Sequence, residues 1–405
     1  MPGHLIPRTW EHNPTLDAPA RYRRACAYES FVPASIAAMD VRLSTQQAGL
    51  VSEAEQAIRL LNDEGGTALA PLARLLLRTE SIASSKVEGM QLGVRELARA
   101  EAKVESGGVP GTTAMEVLAN IDAMVLAVEE AAEVQDFSNQ EIMSIHRRLL
   151  ERAPHRHIAG QFRTTQNWIG GNDYNPCGAD FVPPPPDAVM PLLHDLCQSI
   201  NDDTMSPLVQ AALAHAQFET IHPFDDGNGR TGRALVHVIL RRRQLAPRFV
   251  SPISVVFAGA RDRYISALTA YRGDGVTEGI EFFAAATVRS ARLAQGYVRA
   301  VRALQATWRR QLHETARPPR SDAAAWAIID LLPAHPIISA PVITALLDRA
   351  KGRVYEAIDQ LVDAQVLLPL SDARRNRWWE AVGLLTLIVG IEGGEPAPTE
   401  DSAMV

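Results

Sequence analysis

Residues 222–233 hold more reactive side chains than any other short stretch of this chain. They read HPFDDGNGRTGR and are called the motif loop below. His222 supplies an imidazole that can accept a proton near neutral pH. Gly227, Asn228 and Gly229 tolerate a positive φ, so they can curl the backbone until several N–H groups point inward. Because the N-terminus of a helix follows this turn, the pattern predicts an anion site.

The charged side chains of the motif loop indicate which anion would fit. Arg230 and Arg233 are three residues apart, which puts both guanidinium groups on one face of the first helical turn. Two guanidinium forks aimed at one anion suit a polyphosphate better than a single phosphate. Asp226 would be repelled by bare phosphate, so its place beside the anion site indicates a bridging Mg²⁺. Each feature alone is typical of a helix–turn–helix with solvated arginines, but the combination is not.

Two helices must hold the motif loop in place. Residues 211–219 (AALAHAQFE) contain strong helix formers and no helix breaker. Pro223 disfavours helical geometry in the residue ahead of it, so this helix should end there. Residues 230–240 (RTGRALVHVIL) form the second predicted helix. Arg241–Arg243 would end it, where cations suit the C-terminal dipole.

The motif loop resembles the signature of the Fic (Fido-fold) family, H-x-F-x-[D/E]-G-N-G-R-x-x-R, at every fixed position. Most members transfer AMP from ATP to a side-chain hydroxyl of a target protein. The resemblance implies that His222 deprotonates a target Ser, Thr or Tyr and that Asp226 holds Mg²⁺ between the α- and β-phosphates. The amides of residues 227–229 would cradle the phosphates, while Arg230 and Arg233 would grip the β- and γ-phosphates.

Residues 160–186, called the flap segment below, interrupt an otherwise helical pattern. Thr, Trp, Ile, Phe and Val on either side of a Gly/Asn/Asp/Pro turn predict a β-hairpin. Fic proteins carry a hairpin flap here, with a similar Phe-Arg-Thr-Thr-Gln stretch, that covers the nucleotide and aligns the target chain by β-addition. A plain surface hairpin is the alternative. By this resemblance the residues at the nucleotide and target cleft are Asn167, Trp168, Ile169 and Gly170.

Four further side chains outside these segments each allow two interpretations. Tyr264 matches a downstream Y-x-x-x-L helix of the Fic family, in which the tyrosine often lies near the nucleoside; a core tyrosine is the alternative. His146 has apolar helix neighbours, which favours a packing or hydrogen-bonded histidine over a catalyst. His155 and His157 form a possible metal pair, but nothing nearby completes a ligand set, so a solvated loop is favoured.

A second motif lies at the end of the helical pattern over residues 68–90, which Gly89 could close. Glu88 alone would be an ordinary exposed residue. In Fic proteins, however, [S/T]-x-x-x-E-[G/N] marks an inhibitory helix, and Ser84, Glu88 and Gly89 match its defining positions. The resemblance implies that Glu88 pairs with Arg233 and occupies the guanidinium group that should bind the γ-phosphate. The same glutamate could instead support removal of AMP from a modified target.

The 405 residues, 46% of them apolar, are enough for two or three domains. We predict a mainly α-helical chain with a Fic core, a β-hairpin flap and a C-terminal winged-helix-like module. The predicted boundaries are 1–34 for an irregular N-terminal arm, 35–111 for a helical region with the inhibitory motif, 112–295 for the Fic core, 321–381 for the winged-helix-like module and 392–405 for a disordered tail.

The predicted C-terminal module has three helices followed by a hairpin. Arg374, Arg375 and Arg377 in its wing could contact a phosphate backbone. The net charge of −7 gives no general reason to expect nucleic-acid binding. A protein contact or a homodimer contact is therefore favoured over DNA binding.

The cysteines and the apolar segments bear on location. Cys26, Cys177 and Cys197 are odd in number and show no metal-ligand spacing, which predicts free thiols in a reducing cytoplasm. The N-terminus has no apolar core of a signal peptide. The apolar run 384–391 is too short to cross a bilayer. We therefore expect a cytoplasmic protein without membrane contact.

Together these patterns predict a self-inhibited protein adenylyltransferase that uses ATP and Mg²⁺, modifies an unknown target protein or itself, and releases pyrophosphate. One alternative is a related transferase of UMP, phosphocholine or phosphate. Phosphate-transferring relatives usually vary the positions of Gly229 and Arg230, which are standard here and favour nucleotide transfer. The other alternative is a DNA-binding regulator whose Fic core senses nucleotide.

Overall fold

The structure is a computed structural model that describes residues 3–63, 69–105, 107–370 and 377–398. Helices dominate it, and the described strands form two small sheets. The strands are β1 Gly3–Trp10, β2 Cys26–Pro33, β3 Ile337–Ser339, β4 Leu367–Pro369 and β5 Trp378–Ala381. The α-helices are α1 Thr45–Asn62, α2 Leu69–Val87, α3 Val94–Glu105, α4 Thr112–Leu126, α5 Asn139–Leu150, α6 Pro186–Asn201, α7 Pro207–Ile221, α8 Asn228–Arg242, α9 Ile253–Gly259, α10 Arg261–Tyr271, α11 Val276–His313, α12 Ala324–Leu331, α13 Ala340–Leu347, α14 Lys351–Asp363 and α15 Leu384–Glu392.

The chain divides into two units, each made of three separate stretches. The first takes in the chain up to Glu55, Ala123–Leu245 and Ala260–Ala285. The second takes in Gln56–Asp122, Ala246–Gly259 and the chain from Ala286 onward. The first unit therefore contains the flap segment and the motif loop, and the second contains the inhibitory motif.

The N-terminal ribbon, residues 3–33, is an antiparallel pair of strands rather than the predicted irregular arm. β1 and β2 pair over their full length, from Gly3 with Pro33 to Trp10 with Cys26. The arm prediction was wrong because prolines and arginines hide the strand pattern in the sequence. Proline is tolerated at the edge of a sheet, and both strands of a two-stranded ribbon are edges.

A disulfide joins Cys26 to Cys177 across 151 residues of the chain. The expectation of free thiols was therefore wrong for these two cysteines and right for Cys197, which is a buried free thiol. Burial raises the pKa of the Cys197 thiol to about 12, so it is unreactive in the folded chain. Cysteine spacing does not show which distant loops the fold brings together. The expected cytoplasmic location loses the support that it took from free thiols.

The central pair of the first unit is α7 and α8. Every residue of α7 from Leu208 to Ile221 is buried, so this helix has no solvated face. Gly232 lets α8 approach closely, because a Cβ at this position would lie 2.8 Å from Glu219 Oε1 and 3.0 Å from Phe218 Cδ1. This close packing fixes the direction in which α8 leaves the motif loop.

The core of the second unit joins α2 and α3 with the C-terminal helices. Strands β3, β5 and β4 form an antiparallel sheet in that order, and α13 and α14 pack against it. This grouping cuts across the predicted boundaries at residues 111 and 321. Arg377 lies with its guanidinium carbon 5.0 Å from the centre of the Trp379 ring. Arg374 and Arg375 lie outside the described residues.

The described chain stays packed beyond residue 392, where the predicted disordered tail begins. α15 ends at Glu392, and Ala397 still packs against the core of the second unit. Residues 399–405 lie outside the described residues. Among the described residues, no helix combines the length and the apolar character needed to cross a membrane.

His335, which is buried between α12 and β3, should make the stability of the second unit depend on pH. Its burial, with Arg74 and Arg78 nearby, lowers its pKa from 6.5 to about 4. Between these values only the unfolded chain takes up the proton, so stability is full above about pH 6.5 and falls towards pH 4. In the native protein this group should lower the free energy of unfolding by at most about 3 kcal/mol as the pH falls, and a His335→Gln variant should lack that contribution. Urea unfolding of both proteins between pH 7 and pH 4.5 measures the difference. An equal dependence of the unfolding free energy on pH in the two proteins would contradict the prediction.

Candidate active site

The motif loop begins where α7 stops. His222 adopts a left-handed conformation with φ of 49°, and its N–H donates to the carbonyl of Phe218 at 2.9 Å. Residues other than glycine rarely take this conformation, so surrounding contacts have to maintain it. Pro223 then prevents the helix from continuing. The His222 side chain is half-buried at this turn.

Arg163 of the flap segment binds the carbonyls around this turn. It is buried, and its Nε donates to His222 O at 2.9 Å while its Nη2 donates to Ile221 O at 3.3 Å. The same guanidinium donates to the carbonyls of Thr165 and Pro184. Burial lowers its pKa to about 10, which leaves it charged at neutral pH. One cation thus ties both ends of the flap segment to the start of the motif loop.

Asn167, one of the predicted flap residues, forms hydrogen bonds to the motif loop. Its Nδ2 donates to His222 O at 3.1 Å and to Phe224 O at 3.0 Å. Asn228 braces the turn from the other side, because its side chain accepts from Phe224 N–H and donates to Phe224 O, both at 2.9 Å. The turn between α7 and α8 is therefore fixed at its middle.

His146 on α5 is the third side chain that holds the loop. It is fully buried, its Nδ1 accepts from Gly160 N–H at 2.9 Å, and its Nε2 lies 2.8 Å from Asp226 O. A carbonyl only accepts, so Nε2 carries the ring proton. The ring stacks on Phe224 with 3.6 Å between centroids. Burial lowers its pKa to about 4, so it is neutral at pH 7. His146 is thus the hydrogen-bonded histidine that the sequence favoured.

The N-terminus of α8 has the geometry that the predicted anion site requires. Gly227 precedes the helix with φ of 79°, and the first intrahelical bond runs from Thr231 N–H to Gly227 O at 3.1 Å. Amides ahead of that bond point out of the helix end. Gly227 N–H itself donates to Asp226 Oδ1 at 2.7 Å. Such a helix end attracts negative charge.

Two charged side chains of the motif loop, Asp226 and Arg230, lie close together at this helix end. Arg230 and Arg233 are only 5% and 1% exposed. Arg230 Nη2 lies 3.7 Å from Asp226 Oδ2, and the Asp226 side chain is 51% exposed. An exposed carboxylate beside an anion site fits Mg²⁺, which commonly takes one carboxylate together with phosphate oxygens and water. Among the described residues, no group of three or more His, Cys, Asp or Glu side chains could hold a metal alone.

The flap segment forms less β-structure than the sequence predicts. A single antiparallel bridge joins Ile169 and Phe181, with Ile169 N–H to Phe181 O at 2.8 Å and the return bond at 3.1 Å. The connection is shaped by side chains instead, because Asn172 Oδ1 accepts from the amides of Tyr174 and Asn175. Prolines from 183 to 186 then remove the donors that a longer second strand would need.

The other predicted flap residues lie at the surface. Trp168 is half-buried, and its Nε1 donates to Asn172 O at 2.6 Å. Ile169 is 37% exposed, and Gly170 is exposed. An exposed apolar side chain next to an exposed backbone offers a surface for another chain.

Tyr264 lies on α10 in the core of the first unit. It is 5% exposed, and its hydroxyl lies 2.8 Å from His215 Nε2 on α7. This position agrees with the alternative of a core tyrosine.

The inhibitory motif ends α2 in the way that the sequence predicts. Gly89 has φ of 83° and donates to Lys86 O at 3.0 Å, while Met90 N–H donates to Ser85 O at 3.1 Å. These two bonds and the left-handed glycine are the Schellman pattern of a helix end. Ser84 is buried and Glu88 is exposed.

Sequence reasoning did not find the part that Arg163 plays. Its signal was the Phe-Arg-Thr-Thr-Gln stretch, which identifies the flap segment but does not show that the arginine turns inward. Only the fold brings its guanidinium group to the carbonyls at the end of α7.

Loss of the His146 hydrogen bonds should destabilise the first unit. A His146→Phe variant keeps an aromatic ring against Phe224 but leaves the Gly160 N–H and the Asp226 carbonyl without this partner. We expect the free energy of unfolding to fall by about 2 kcal/mol or more in urea titrations at pH 7. His155→Phe is the matched control, because His155 is exposed and should change stability by no more than about 0.5 kcal/mol. Equal stability of the two variants would contradict the role given to His146.

Family models and curated relatives match this chain over the regions just described. The Fic/DOC family matches residues 136–240, and the Fic/DOC family N-terminal region matches residues 48–129. Protein adenylyltransferase fic-1 of Caenorhabditis elegans is 31% identical over 254 residues, which cover 58% of this chain and 46% of that protein. Protein adenylyltransferase Fic of Nematostella vectensis is 32% identical over 178 residues, which cover 43% of this chain and 37% of that protein. This chain spans less than half the length of either relative.

Solved structures share the fold. A Fic family protein from Desulfovibrio desulfuricans G20 has a TM-score of 0.53 at 20% identity and covers 85% of this chain and 98% of its own. Fic-1 from C. elegans has a TM-score of 0.50 at 25% identity and covers 63% of this chain and 73% of its own. The matched residues 48–129 and 136–240 include the inhibitory motif, the flap segment and the motif loop. The chain therefore carries a match to the Fic/DOC domain and a match to the N-terminal region of the same family.

Proposed function

We propose that this chain is a self-inhibited protein adenylyltransferase. It transfers AMP from ATP to a Ser, Thr or Tyr hydroxyl of a target protein and releases pyrophosphate. The observation that carries this proposal is the N-terminus of α8, where two buried arginines and one exposed carboxylate surround a helix end. The names of the curated relatives, protein adenylyltransferases, support it.

The burial of both arginines favours a triphosphate as the ligand. Arg230 and Arg233 have little water around them, so their interaction with an anion is stronger than that of a solvated side chain. Three phosphates carry enough charge and enough oxygens to engage two guanidinium groups and the helix end together. The two cations then neutralise the charge that moves onto the leaving phosphates.

Transfer is an in-line displacement at the α-phosphorus. The target hydroxyl loses its proton to the imidazole of His222 as its oxygen bonds to that phosphorus. The bond from the α-phosphorus to the oxygen bridging to the β-phosphate breaks, and pyrophosphate leaves with the electron pair. Asp226 would hold Mg²⁺, which when bound neutralises phosphate charge. Arg163 and Asn167 keep the His222 carbonyl, and with it the base, in place.

Self-inhibition is proposed for Glu88. The residue is exposed at the end of α2, while the rest of that helix is largely buried. Gly89 turns the chain directly after it, so the carboxylate stands at a corner of the backbone. A carboxylate that pairs with Arg233 removes one of the two cations required by the triphosphate. ATP would then bind weakly or in an unproductive pose.

Removal of the imidazole should abolish transfer. A His222→Ala variant loses the base, and general-base catalysis contributes on the order of 10²–10⁴ in rate. We expect transfer to fall by that factor while the Kd for ATP changes by no more than a few-fold, because the cradle is formed by residues 226–233. Intact mass after incubation with ATP and Mg²⁺ measures transfer, and calorimetry measures binding. Normal transfer by this variant would exclude His222 from the mechanism.

Removal of the inhibitory carboxylate should raise transfer. A Glu88→Gly variant frees Arg233 for the γ-phosphate, and an ion pair worth about 1.4 kcal/mol predicts a tenfold gain. Intact mass after incubation with each nucleoside triphosphate also identifies the donor: an AMP-sized gain with ATP supports adenylyl transfer, and a UMP-sized gain with UTP would reassign it. Glu96→Gly is the control, since Glu96 is another exposed glutamate of the second unit. Equal transfer by the two glutamate variants would contradict the inhibitory role.

A further inference from the structure

The N-terminal ribbon precedes both regions that match the family, yet it contacts the flap segment closely. Phe31 N–H on β2 donates to Val182 O at 2.9 Å, and Ser30 Oγ donates to Pro183 O at 2.6 Å. Both acceptors belong to the second half of the flap segment. β2 therefore lies alongside that half and is joined to it by one backbone and one side-chain hydrogen bond.

This contact leaves one edge of the flap segment open. Phe181 pairs with Ile169 on one side, and the next residue, Val182, pairs with β2 on the other. Backbone groups alternate between the two sides of an extended chain, so those of Trp168 face away from Phe181. Gly170 has φ of 74° and begins the turn. A target strand can therefore add to the flap segment along the edge that includes Trp168.

Aromatic side chains extend the contact between the ribbon and the flap segment. Three ring pairs each take one ring from either side, with centroids 5.8, 5.1 and 6.2 Å apart. Asn175 Nδ2 also donates to Tyr22 O at 3.0 Å. The ring pairs are Trp10 with Trp168, Tyr22 with Tyr174, and Phe31 with Phe181.

A covalent bond completes the contact at the tip of the flap segment. Cys177 lies in the connection between Ile169 and Phe181, and Cys26 is the first residue of β2. Both cysteines are partly exposed, so a small reductant can reach the bond from solvent. The disulfide restrains the part of the flap segment that has a single backbone bridge of its own.

We propose that the N-terminal ribbon is a clamp that positions the flap segment for its target, and that the Cys26–Cys177 disulfide makes this clamp sensitive to dithiols. The role of the flap segment in this inference rests on the proposed function. A dithiol attacks one sulfur as a thiolate, the S–S bond breaks, and the second thiol closes a cyclic disulfide of the reagent. Both cysteines end as protonated thiols. The tip is then held only by non-covalent contacts, so an added target strand is aligned less well.

Alkylation of the full chain first tests whether the lock exists. Denatured without reductant, the protein should take up one equivalent of iodoacetamide, at Cys197. After reduction by dithiothreitol it should take up three. Three equivalents in both samples would overturn the proposal.

Amide hydrogen exchange of the native full chain then tests the clamp without any need for catalysis. Reduction should speed exchange of the Ile169 and Phe181 amides at least tenfold, because the bridge between them opens more often. Exchange in the motif loop should stay the same. Unchanged exchange of these two amides, with both thiols shown to be free, would overturn the proposal.

Cysteine variants separate the lock from a general effect of the reductant. A Cys26→Ser/Cys177→Ser double variant should exchange like the reduced protein and should not respond to dithiothreitol. Cys197→Ser removes a thiol outside the clamp and should keep the full response. A response that survives in the double variant would assign it to something other than this disulfide.

Transfer by the Glu88→Gly variant links the clamp to function. Reduction should lower its self-modification at least threefold, while the Kd for ATP stays constant because the motif loop is unchanged. Equal self-modification in both redox states would overturn the proposed role of the clamp in aligning the target strand. Absence of transfer in both states would count against the proposed function, and hydrogen exchange would still decide whether the clamp holds the flap segment.

Discussion

The backbone carbonyls between Ile221 and Asp226 impose the main constraint on this structure. A turn that leaves one helix and enters another pairs few of these groups internally, as Asn228 does with Phe224 O, and a buried carbonyl without a partner costs about 1–3 kcal/mol. Three side chains from outside the turn donate to them: Arg163, Asn167 and His146. Because two come from the flap segment and one from α5, the turn, the flap segment and α5 have to be in place together. The start of α8 inherits its geometry from this arrangement.

Signals that act within a few residues predicted local structure well. The helices on both sides of the motif loop form as expected, and the end of the first at His222 follows from Pro223. Gly89 closes α2 with the left-handed conformation that a glycine favours there. In each case the residues that decide the structure are neighbours in the chain.

Contacts between distant residues were beyond the same reasoning. The β1–β2 ribbon depends on a register that its prolines and arginines hide, and the disulfide joins residues 151 positions apart. The predicted hairpin of the flap segment is reduced to one bridge, because Pro183–Pro186 lack the N–H groups that a longer second strand would need. For the candidate site, the motif predicted which residues gather at α8. It did not predict that Arg163, a buried arginine of the flap segment, would bind the backbone carbonyls of Ile221 and His222.

The flap segment is held at its base and at its tip by bonds of different kinds. At the base, Arg163 is buried and donates to the carbonyls of Thr165 and Pro184, where solvent and small reagents have little access. At the tip, Cys177 is partly exposed and bonded to the ribbon. A reductant therefore reaches the tip and leaves the base intact. The bonds at the base of the flap segment also fix the His222 carbonyl. Under the proposed function, release of the tip should therefore change how a target strand is presented and leave His222 in place.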